Sequence, residues 1–181
     1  MKIVGICGSP RHYGNSEWAL NFLLKKSSEF ADVKYIILSE KVVAFCNGCL
    51  ICEDNLPCHH NDDMAEINNC LLDADAIVVS TPVYFDNVPA ILKNLIDRTN
   101  PICNNMKGKK AVVITFGQAD NASWDSATQY LNAYFDILGI QMIGCYSFGA
   151  RNLNDAENND KIEKQLDKIV LELRKLVAYG Q

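Results

Sequence analysis

Residues 2–17 read KIVGICGSPRHYGNSE, an apolar run followed by a turn rich in glycine and hydroxyl groups. The run Lys2–Cys7 is apolar on both of its faces, as a parallel strand covered by helices on both sides must be. The turn that follows leads directly into an amphipathic segment. This stretch therefore predicts a strand, a tight loop and a helix, which is the unit of a fold that alternates strands with helices.

The same alternation continues towards the end of the chain. Runs rich in β-branched residues predict four further strands, at 33–38, 76–80, 110–116 and 140–146. Apolar residues at steps of three and four predict helices over 122–138 and 162–176. A short helix is predicted after Asp62 or Asp63, with Glu66 placed to complete a capping box. Five strands and five helices predict an α/β fold, a doubly wound five-stranded parallel sheet of order 2-1-3-4-5 with helices on both faces.

Length and composition predict a single domain over residues 1–181, with a cysteine-rich insertion at about 45–61. The net charge of −5 argues against non-specific nucleic-acid binding. No apolar stretch approaches the roughly eighteen residues that a membrane span needs. The eight cysteines are too unevenly spread for a disulfide scaffold, and the first apolar run is too short for a secretion signal. We therefore expect a cytoplasmic protein.

The turn after the first strand has the features of a phosphate site. Ligands of such sheets bind at the carboxyl ends of the strands beside the switch point, and a helix N-terminus there offers N–H donors and a positive dipole end. Neither the Walker spacing nor the dinucleotide glycine pattern is present. A phosphate monoester remains, and FMN is the cofactor typical of this sheet order, although a turn shaped only by backbone needs is the weaker alternative. The candidate cofactor-binding residues here are Ser9, Arg11, Asn15, Ser16 and Glu17.

The loop after the third strand offers a place for a flat ring system. It carries two prolines and two adjacent aromatic side chains, whose apolar faces suit a flavin ring. Gly117, after the fourth strand, would permit close backbone approach from the other side. The candidate ring-binding residues of the loop are Pro82, Val83, Tyr84, Phe85 and Asn87.

Four cysteines with the spacing C-x2-C-x2-C-x5-C form a second candidate site, at Cys46, Cys49, Cys52 and Cys58. The first three steps match the ferredoxin-type segments that hold a [4Fe-4S] cluster. Structural zinc is a second interpretation, because His59 and His60 follow and thiolates suit zinc as well as iron. Four free thiols that bind no metal are a third. The spacing alone leaves all three open.

These residues together resemble the NADPH-dependent FMN reductase branch of the flavodoxin-like proteins, and within it the iron–sulfur flavoproteins. The matching pieces are GSPR and GNS within 8–16, the cysteine pattern followed by DDM at 62–64, and TPVY at 81–84 leading to Lys93 and to DR at 97–98. The resemblance covers essentially the whole chain. It implies a flavodoxin-like fold, FMN held by the two loops, a [4Fe-4S] cluster held by the four cysteines, and a homodimer or homotetramer. Asp86 departs from the small residue usual at its position.

From this resemblance we expect an FMN-dependent oxidoreductase that receives electrons from NAD(P)H or a ferredoxin-like carrier and passes them to a small-molecule redox substrate or a carrier. An iron–sulfur flavoprotein would move electrons between the cluster and FMN. No catalytic side chains are expected, because the flavin carries the chemistry. Two other functions stay open: a flavodoxin-type electron carrier without a substrate of its own, and a zinc-binding interaction module.

Overall fold

The computed structural model describes residues 1–54, 57–118 and 126–179, which form one sheet with helices on both faces. The strands are β1 (Lys2–Cys7), β2 (Asp32–Ile37), β3 (Ala76–Pro82), β4 (Lys110–Gly117) and β5 (Gln141–Gly149). The α-helices are α1 (Asn15–Ser27), α2 (Met64–Asp73), α3 (Ala90–Asp97), α4 (Ser126–Ile137) and α5 (Asp160–Tyr179). Short 3-10 turns lie at Leu38–Glu40, Ile51–Asp54 and Asn100–Asn105.

The sheet has the order β2-β1-β3-β4-β5 with every pairing parallel, which confirms the predicted architecture. The chain runs from β1 outward to β2 and then crosses to β3 on the other side of β1, so the switch point lies between β1 and β3. At their carboxyl ends, Cys7 pairs with Ser80, and the N–H of Gly8 donates to the Ser80 carbonyl oxygen at 2.8 Å. The loops that leave these strands therefore begin side by side.

Each face of the sheet has its own apolar core, because side chains alternate across a strand. On one face, Val4 and Ile6 of β1 pack with the buried residues of α2, α3 and α4. On the other, Ile3 and Cys7 pack with those of α1 and α5. The predicted apolar stripes of the helices thus fill both layers, and burying each large side chain contributes about 1.5–3 kcal/mol to folding.

Several element boundaries differ from the sequence prediction. β2 ends at Ile37, since Leu38 opens a 3-10 turn, whereas β3, β4 and β5 all extend further towards their carboxyl ends than the apolar pattern indicated. The helix predicted over 122–138 is seen as α4 from Ser126, and its first residues, with Trp124, lie outside the described part of the chain. No helix within the described ranges is long and apolar enough to cross a membrane.

The predicted capping box at the start of α2 is wrong. The Asp63 side chain makes no cap hydrogen bond, and instead accepts one from the Val42 N–H at 2.7 Å. The N–H of Met64 donates to Asp62 Oδ1 at 3.1 Å, so Asp62 serves the helix end. Glu66 pairs with surface lysines rather than with the helix backbone. Both aspartates accept hydrogen bonds from the backbone just before the cysteine-rich segment, from the N–H groups of Val42 and Ala44. A local sequence motif does not reveal these contacts.

Candidate functional site

A cavity of about 600 Å³ lies at the carboxyl ends of the strands, beside the switch point. We call it the strand-end cavity. Loops after β1, β3, β4 and β5 all contribute to its wall. Its lining residues are Ser9, Arg11, Gly14, Asn15, Ser16, Pro82, Val83, Tyr84, Phe116, Gly117, Gln118, Ala150, Arg151, Asn152 and Leu153.

The turn after β1 is held in shape by its own side chains. The Ser9 hydroxyl accepts a hydrogen bond from the Arg11 N–H at 3.0 Å and lies 3.1 Å from the Arg11 carbonyl oxygen. Tyr13 has a φ of +55°, a left-handed conformation unfavourable for an aromatic residue, and its N–H donates to Glu17 Oε2 at 2.8 Å. Glu17 therefore fixes the turn and does not line the cavity.

Asn15 joins the turn to the distant loop between β5 and α5. Its side-chain nitrogen donates to the carbonyl oxygens of Ala150 at 3.1 Å and Asn152 at 2.8 Å, while its side-chain oxygen accepts from the Ala156 N–H at 3.1 Å. The residue is buried, and its side-chain amide is thereby committed to three partners. Its side chain shapes the cavity wall, and its contact with a phosphate stays a prediction.

Two arginines, Arg11 and Arg151, line the strand-end cavity from opposite loops. The cavity also borders the first turn of α1, where Asn15 and Ser16 are the first two helical residues. The first N–H groups of a helix have no partner within it, and the positive end of its dipole attracts anions. The arrangement of two guanidinium groups and a helix N-terminus can hold a phosphate.

The loop after β3 is a tight hairpin. The N–H of Tyr84 donates to the Asn87 carbonyl oxygen at 2.8 Å, and the N–H of Asn87 donates back to the Tyr84 carbonyl oxygen at 3.0 Å. Phe85 and Asp86 between them have φ values of +48° and +58°, as a two-residue turn of the I′ type requires. Asp86 Oδ2 accepts a 2.5 Å hydrogen bond from the Ser126 hydroxyl, which ties this loop to the start of α4.

The structure brings most of the predicted cofactor residues together. Those that line the strand-end cavity are Ser9, Arg11, Asn15, Ser16, Pro82, Val83, Tyr84 and Gly117. Three others do not line it: Glu17, Phe85 and Asn87 hold or form the turns beside it. Phe85 is fully exposed at the tip of its hairpin.

A second cavity, of about 320 Å³, is lined by all four motif cysteines, Cys46, Cys49, Cys52 and Cys58. We call it the cysteine cavity. Ile96 of α3, Ile137 at the end of α4 and the following Leu138 also line it, and Cys103 adds a fifth thiol. Within the residues that the structure describes, no three His, Cys, Asp or Glu side chains converge closely enough to hold a single metal ion.

Hydrogen-bond donors lie beside the motif sulfurs. Asn100 Nδ2 donates to Cys52 Sγ at 3.1 Å, and His59 Nδ1 lies 3.3 Å from Cys49 Sγ. Between these cysteines the backbone turns through left-handed residues at Gly48 and Leu50, with φ values of +67° and +63°. Turns of this type gather backbone N–H groups into the concave nests that hold anions and iron–sulfur clusters.

A buried ion pair holds the two ends of the cysteine-rich segment together. Arg98 donates to both carboxylate oxygens of Asp62, at 2.8 and 3.1 Å, and to the Ala44 carbonyl oxygen at 2.6 Å. Only 2% of the Arg98 side chain and 7% of the Asp62 side chain are exposed. Burial opposes the ionisation of Asp62, but hydrogen bonds from Arg98, Ala44 and Met64 more than offset it, so its pKa lies below the usual range.

Backbone strain is confined to the loops around the two cavities. In the described chain, the non-glycine residues with positive φ are Tyr13, Leu50, Phe85, Asp86 and Asn154. Leu50 lies in the cysteine-rich segment, and the others lie in the loops after β1, β3 and β5, which are three of the four loops at the strand-end cavity. Such conformations cost roughly 1–3 kcal/mol each and persist where the surrounding structure enforces them, most often at functional sites.

Sequence reasoning missed four contributors to these sites. Arg151 and Asn152, in the loop after β5, line the strand-end cavity, although no site residue was predicted in that loop. A signal was available, because every strand of a parallel sheet ends at the same edge. Arg98 and Asn100 lie some forty residues beyond the cysteines, and only the fold brings them to the cysteine cavity.

Comparisons with known proteins show the family and the fold of this chain. A family model described as NADPH-dependent FMN reductase matches residues 1–155. An iron-sulfur flavoprotein of Methanocaldococcus jannaschii is 35% identical over 158 residues, which cover 83% of this chain and 78% of that protein. An iron-sulfur flavoprotein of Methanosarcina thermophila is 34% identical over 164 residues, covering 88% of this chain and 86% of that protein.

Among solved structures, the chain is similar to an FMN-dependent NADH-azoreductase of Bacillus anthracis in complex with FMN, with a TM-score of 0.72 and 17% identity, covering 96% of this chain and 100% of that one. It is also similar to the apo form of an NADH:FMN oxidoreductase, with a TM-score of 0.70 and 18% identity, covering 96% and 88% of the two chains. At this identity the likeness concerns the fold alone. The family match and the identity to the curated relatives go further, and the chain belongs to the NADPH-dependent FMN reductase family.

Proposed function

We propose that this protein is an FMN-dependent oxidoreductase of the iron–sulfur flavoprotein type, with FMN in the strand-end cavity and a [4Fe-4S] cluster in the cysteine cavity. The observation that carries the proposal is the strand-end cavity itself, which is lined by two arginines, by the N-terminus of α1 and by Tyr84 of the hairpin after β3. Its volume of about 600 Å³ lies within the range usual for small-molecule sites.

The phosphate end of FMN would be held by the turn after β1. Ser9 and Ser16 are buried at the cavity wall, and Arg11 and Arg151 supply positive charge. Gly8 begins this turn, and a Cβ there would lie 2.9 Å from Thr81 Oγ1 and 2.8 Å from a Leu92 methyl carbon, so a larger residue would have to displace these side chains. A hydrogen bond from a charged side chain to a phosphate generally contributes about 1.5–3 kcal/mol to binding.

The ring end would lie between the hairpin after β3 and the carboxyl end of β4. Pro82, Val83 and Tyr84 line this part of the cavity together with Gly117, where an added Cβ would lie 3.9 Å from the Val83 side chain. The N–H of Val83 donates to the Phe116 carbonyl oxygen at 2.8 Å, so the hairpin is fixed to β4 before any ligand binds. A rigid wall of this kind orients a ring and excludes water from one of its faces.

Bound FMN supplies hydride transfer with a nicotinamide and single-electron exchange with one-electron carriers. The protein side chains have no covalent role in that chemistry. They bind the phosphate, orient the ring and limit solvent access. We propose NAD(P)H or a ferredoxin-like carrier as the electron donor, and a small-molecule redox substrate or a second carrier as the acceptor.

The cysteine cavity fits a [4Fe-4S] cluster in several respects. Its four thiols follow a ferredoxin-type spacing and line one space, and the left-handed turns at Gly48 and Leu50 suit an iron–sulfur nest. Asn100 and Arg98 provide hydrogen-bonding and positive charge beside the sulfurs. A bound cluster would supply one-electron transfer, while Cys46, Cys49, Cys52 and Cys58 would ligate it.

Helix α3 links the two proposed sites. It begins after Pro89, where the ring-side hairpin ends, and it stops at Asp97, where the wall of the cysteine cavity begins. A helix of this length spans about 12 Å at 1.5 Å per residue. One short rigid element therefore sets the separation of the flavin loop and the cysteines within a chain.

We further propose that the protein is one domain with a cysteine-rich insertion at about 45–61, that it is a cytoplasmic homodimer or homotetramer, and that it does not bind nucleic acid. Among the described residues no two cysteines form a disulfide, which fits a reducing compartment. Phe85 beside one cavity and Phe45, Leu50 and Ile137 beside the other are exposed apolar side chains, which fits association with a further copy. Light scattering on the eluted protein would give the subunit count.

Anaerobic purification followed by a visible spectrum, flavin analysis and iron analysis tests the proposal. We expect a brown protein with one FMN and about four irons per chain. NADH, NADPH and reduced ferredoxin should then be compared as donors under anaerobic conditions. FMN without iron and without NAD(P)H oxidation would favour a flavodoxin-type carrier. A colourless protein with stoichiometric zinc would favour an interaction module and contradict the proposal.

A further inference from the structure

The buried pair of Arg98 and Asp62 also places a positive charge beside the cysteine cavity. Arg98 lines the cysteine cavity together with Cys58, and it is the C-terminal cap residue of α3. The guanidinium of arginine stays protonated in proteins, and two hydrogen bonds to the Asp62 carboxylate hold this one in place. A permanent positive charge therefore lies beside one motif cysteine.

One N–H group of this guanidinium, at Nε, has no hydrogen-bond acceptor among the described residues. Arg98 Nε is buried and has no hydrogen-bond partner among the residues that the structure describes, although the two terminal nitrogens are occupied by Asp62 and Ala44. A buried N–H without a partner is costly, so such a group usually meets a ligand or a bound group. The anionic group that would occupy the cysteine cavity is a suitable acceptor.

We propose that Arg98 sets the reduction potential of the metal group in the cysteine cavity, and that Asp62 moderates its effect. The inference rests on the proposed [4Fe-4S] site. Reduction of the group adds one electron from an external reductant, with no bond formed or broken. The added negative charge is stabilised by Arg98 and opposed by Asp62. Arg98 is thus a positioning residue whose charge tunes the group through Cys58 and its neighbours.

This proposal predicts potential shifts of opposite sign at the two ends of one ion pair. Asp62→Asn keeps an oxygen that can accept from Arg98 but removes the negative charge, so the potential should rise. Arg98→Gln removes the positive charge, so the potential should fall. We expect each single substitution to change the one-electron equilibrium constant at least tenfold, which corresponds to 59 mV. The double variant should return close to the wild-type potential.

The experiment is an anaerobic redox titration of iron-loaded protein with dithionite and mediators, followed by electron paramagnetic resonance. Arg98→Gln leaves Asp62 buried without its counter-charge, which disturbs the segment. If Arg98→Gln does not hold iron, two other variants still test the proposal. They are Asp62→Asn and Arg98→Lys, and the second of these retains the positive charge. The matched controls are Arg174→Gln and Glu29→Gln, which change an exposed pair, with atoms 3.3 Å apart, on the opposite side of the sheet.

The two proposals fail in distinguishable ways. If iron-loaded Asp62→Asn has an unchanged or lower potential, the inference is wrong while the cluster assignment stands. The same holds if both charge removals shift the potential in one direction, as a merely loosened loop would. If the wild-type protein takes up no iron anaerobically, the proposed cluster is absent and the inference fails with it.

Discussion

The side-chain nitrogen of Asn15 donates a 2.8 Å hydrogen bond to the carbonyl oxygen of Asn152, across 137 positions of the chain. This bond connects the first helical turn after β1 to the loop after β5. Because both segments line the strand-end cavity, the shape of the cavity depends on a contact between two loops that are distant in sequence.

Replacing Asn15 with alanine should weaken both folding and flavin binding. The substitution leaves the N–H of Ala156 and two carbonyl oxygens without their buried partner, which costs about 1–3 kcal/mol of unfolding free energy. We expect FMN affinity to fall about tenfold, or about 1.4 kcal/mol. Urea unfolding and fluorescence titration measure the two effects. Asn21→Ala, on an exposed position of the same helix, is the control. Unchanged FMN affinity in a destabilised variant would show that the cavity does not need this link.

Arg151 should contribute to the binding of FMN but not to that of riboflavin. Its guanidinium lines the strand-end cavity, and riboflavin lacks the phosphate that would attract it. Arg151→Gln should weaken FMN binding about five- to thirtyfold, since a hydrogen bond to a charged group contributes about 1–2 kcal/mol at this position. The difference should shrink with added salt, because Arg151 is exposed. Equal losses for both flavins would place Arg151 at the ring rather than at the phosphate. Arg174→Gln serves as a remote control.

The sheet order and the position of the turn after β1 could be predicted from the pattern of apolar runs and turn residues along the chain. Five apolar runs separated by amphipathic helices define the topology, and the glycines and serines at 8–16 mark the turn between β1 and α1. The functions of Asn15 and Asp62 could not be predicted, because their partners are distant in sequence. Asn15 was expected to face a phosphate, yet its side chain holds the loop after β5.

The hairpin after β3 shows the same limit. Tyr84 and Phe85 were interpreted together as ring-binding residues because they are adjacent aromatics. The structure separates them, since the positive φ at Phe85 and Asp86 turns the chain, so that Tyr84 lines the cavity and Phe85 does not. An aromatic residue rarely adopts a positive φ, so the sequence did not indicate that the chain turns at Phe85.

Replacing Phe85 with asparagine should stabilise the isolated chain. The φ of +48° is unfavourable for an aromatic residue, whereas asparagine tolerates it and is preferred in turns of this type. We expect a gain of about 1 kcal/mol in unfolding free energy, measured by urea denaturation. Leu171→Asn, at an exposed helical position, should give no such gain. A loss of stability together with a smaller subunit count would instead place Phe85 in an interface.

Tyr134 should make stability depend on pH under alkaline conditions. Burial raises its pKa to about 12, partly offset by its hydrogen bond with Thr99, whose hydroxyl lies 3.0 Å away. The unfolded chain ionises this phenol near pH 10, so its contribution to stability is complete below about pH 10 and is lost as the pH rises towards 12.

Tyr134→Phe is the variant that tests this dependence. It should lower the unfolding free energy by about 1 kcal/mol near pH 7 through the lost hydrogen bond. The difference from wild type should narrow between pH 10 and 12, because the phenylalanine variant has no phenol to ionise there. Urea denaturation at several pH values gives the comparison, and Tyr13→Phe at an exposed position is the control. A difference that stays constant with pH would mean that this phenol keeps an ordinary pKa in the folded protein.

The most direct test of the account is a comparison of FMN and riboflavin binding to flavin-free wild-type protein. The two ligands share one ring and differ in the phosphate, so the difference in their affinities reports on the turn after β1 and on Arg11 and Arg151. We predict FMN binding at micromolar concentration or below, and riboflavin binding at least tenfold weaker. Equal affinity for the two flavins, or no FMN binding at micromolar concentration, would contradict the assignment of this turn as a phosphate site.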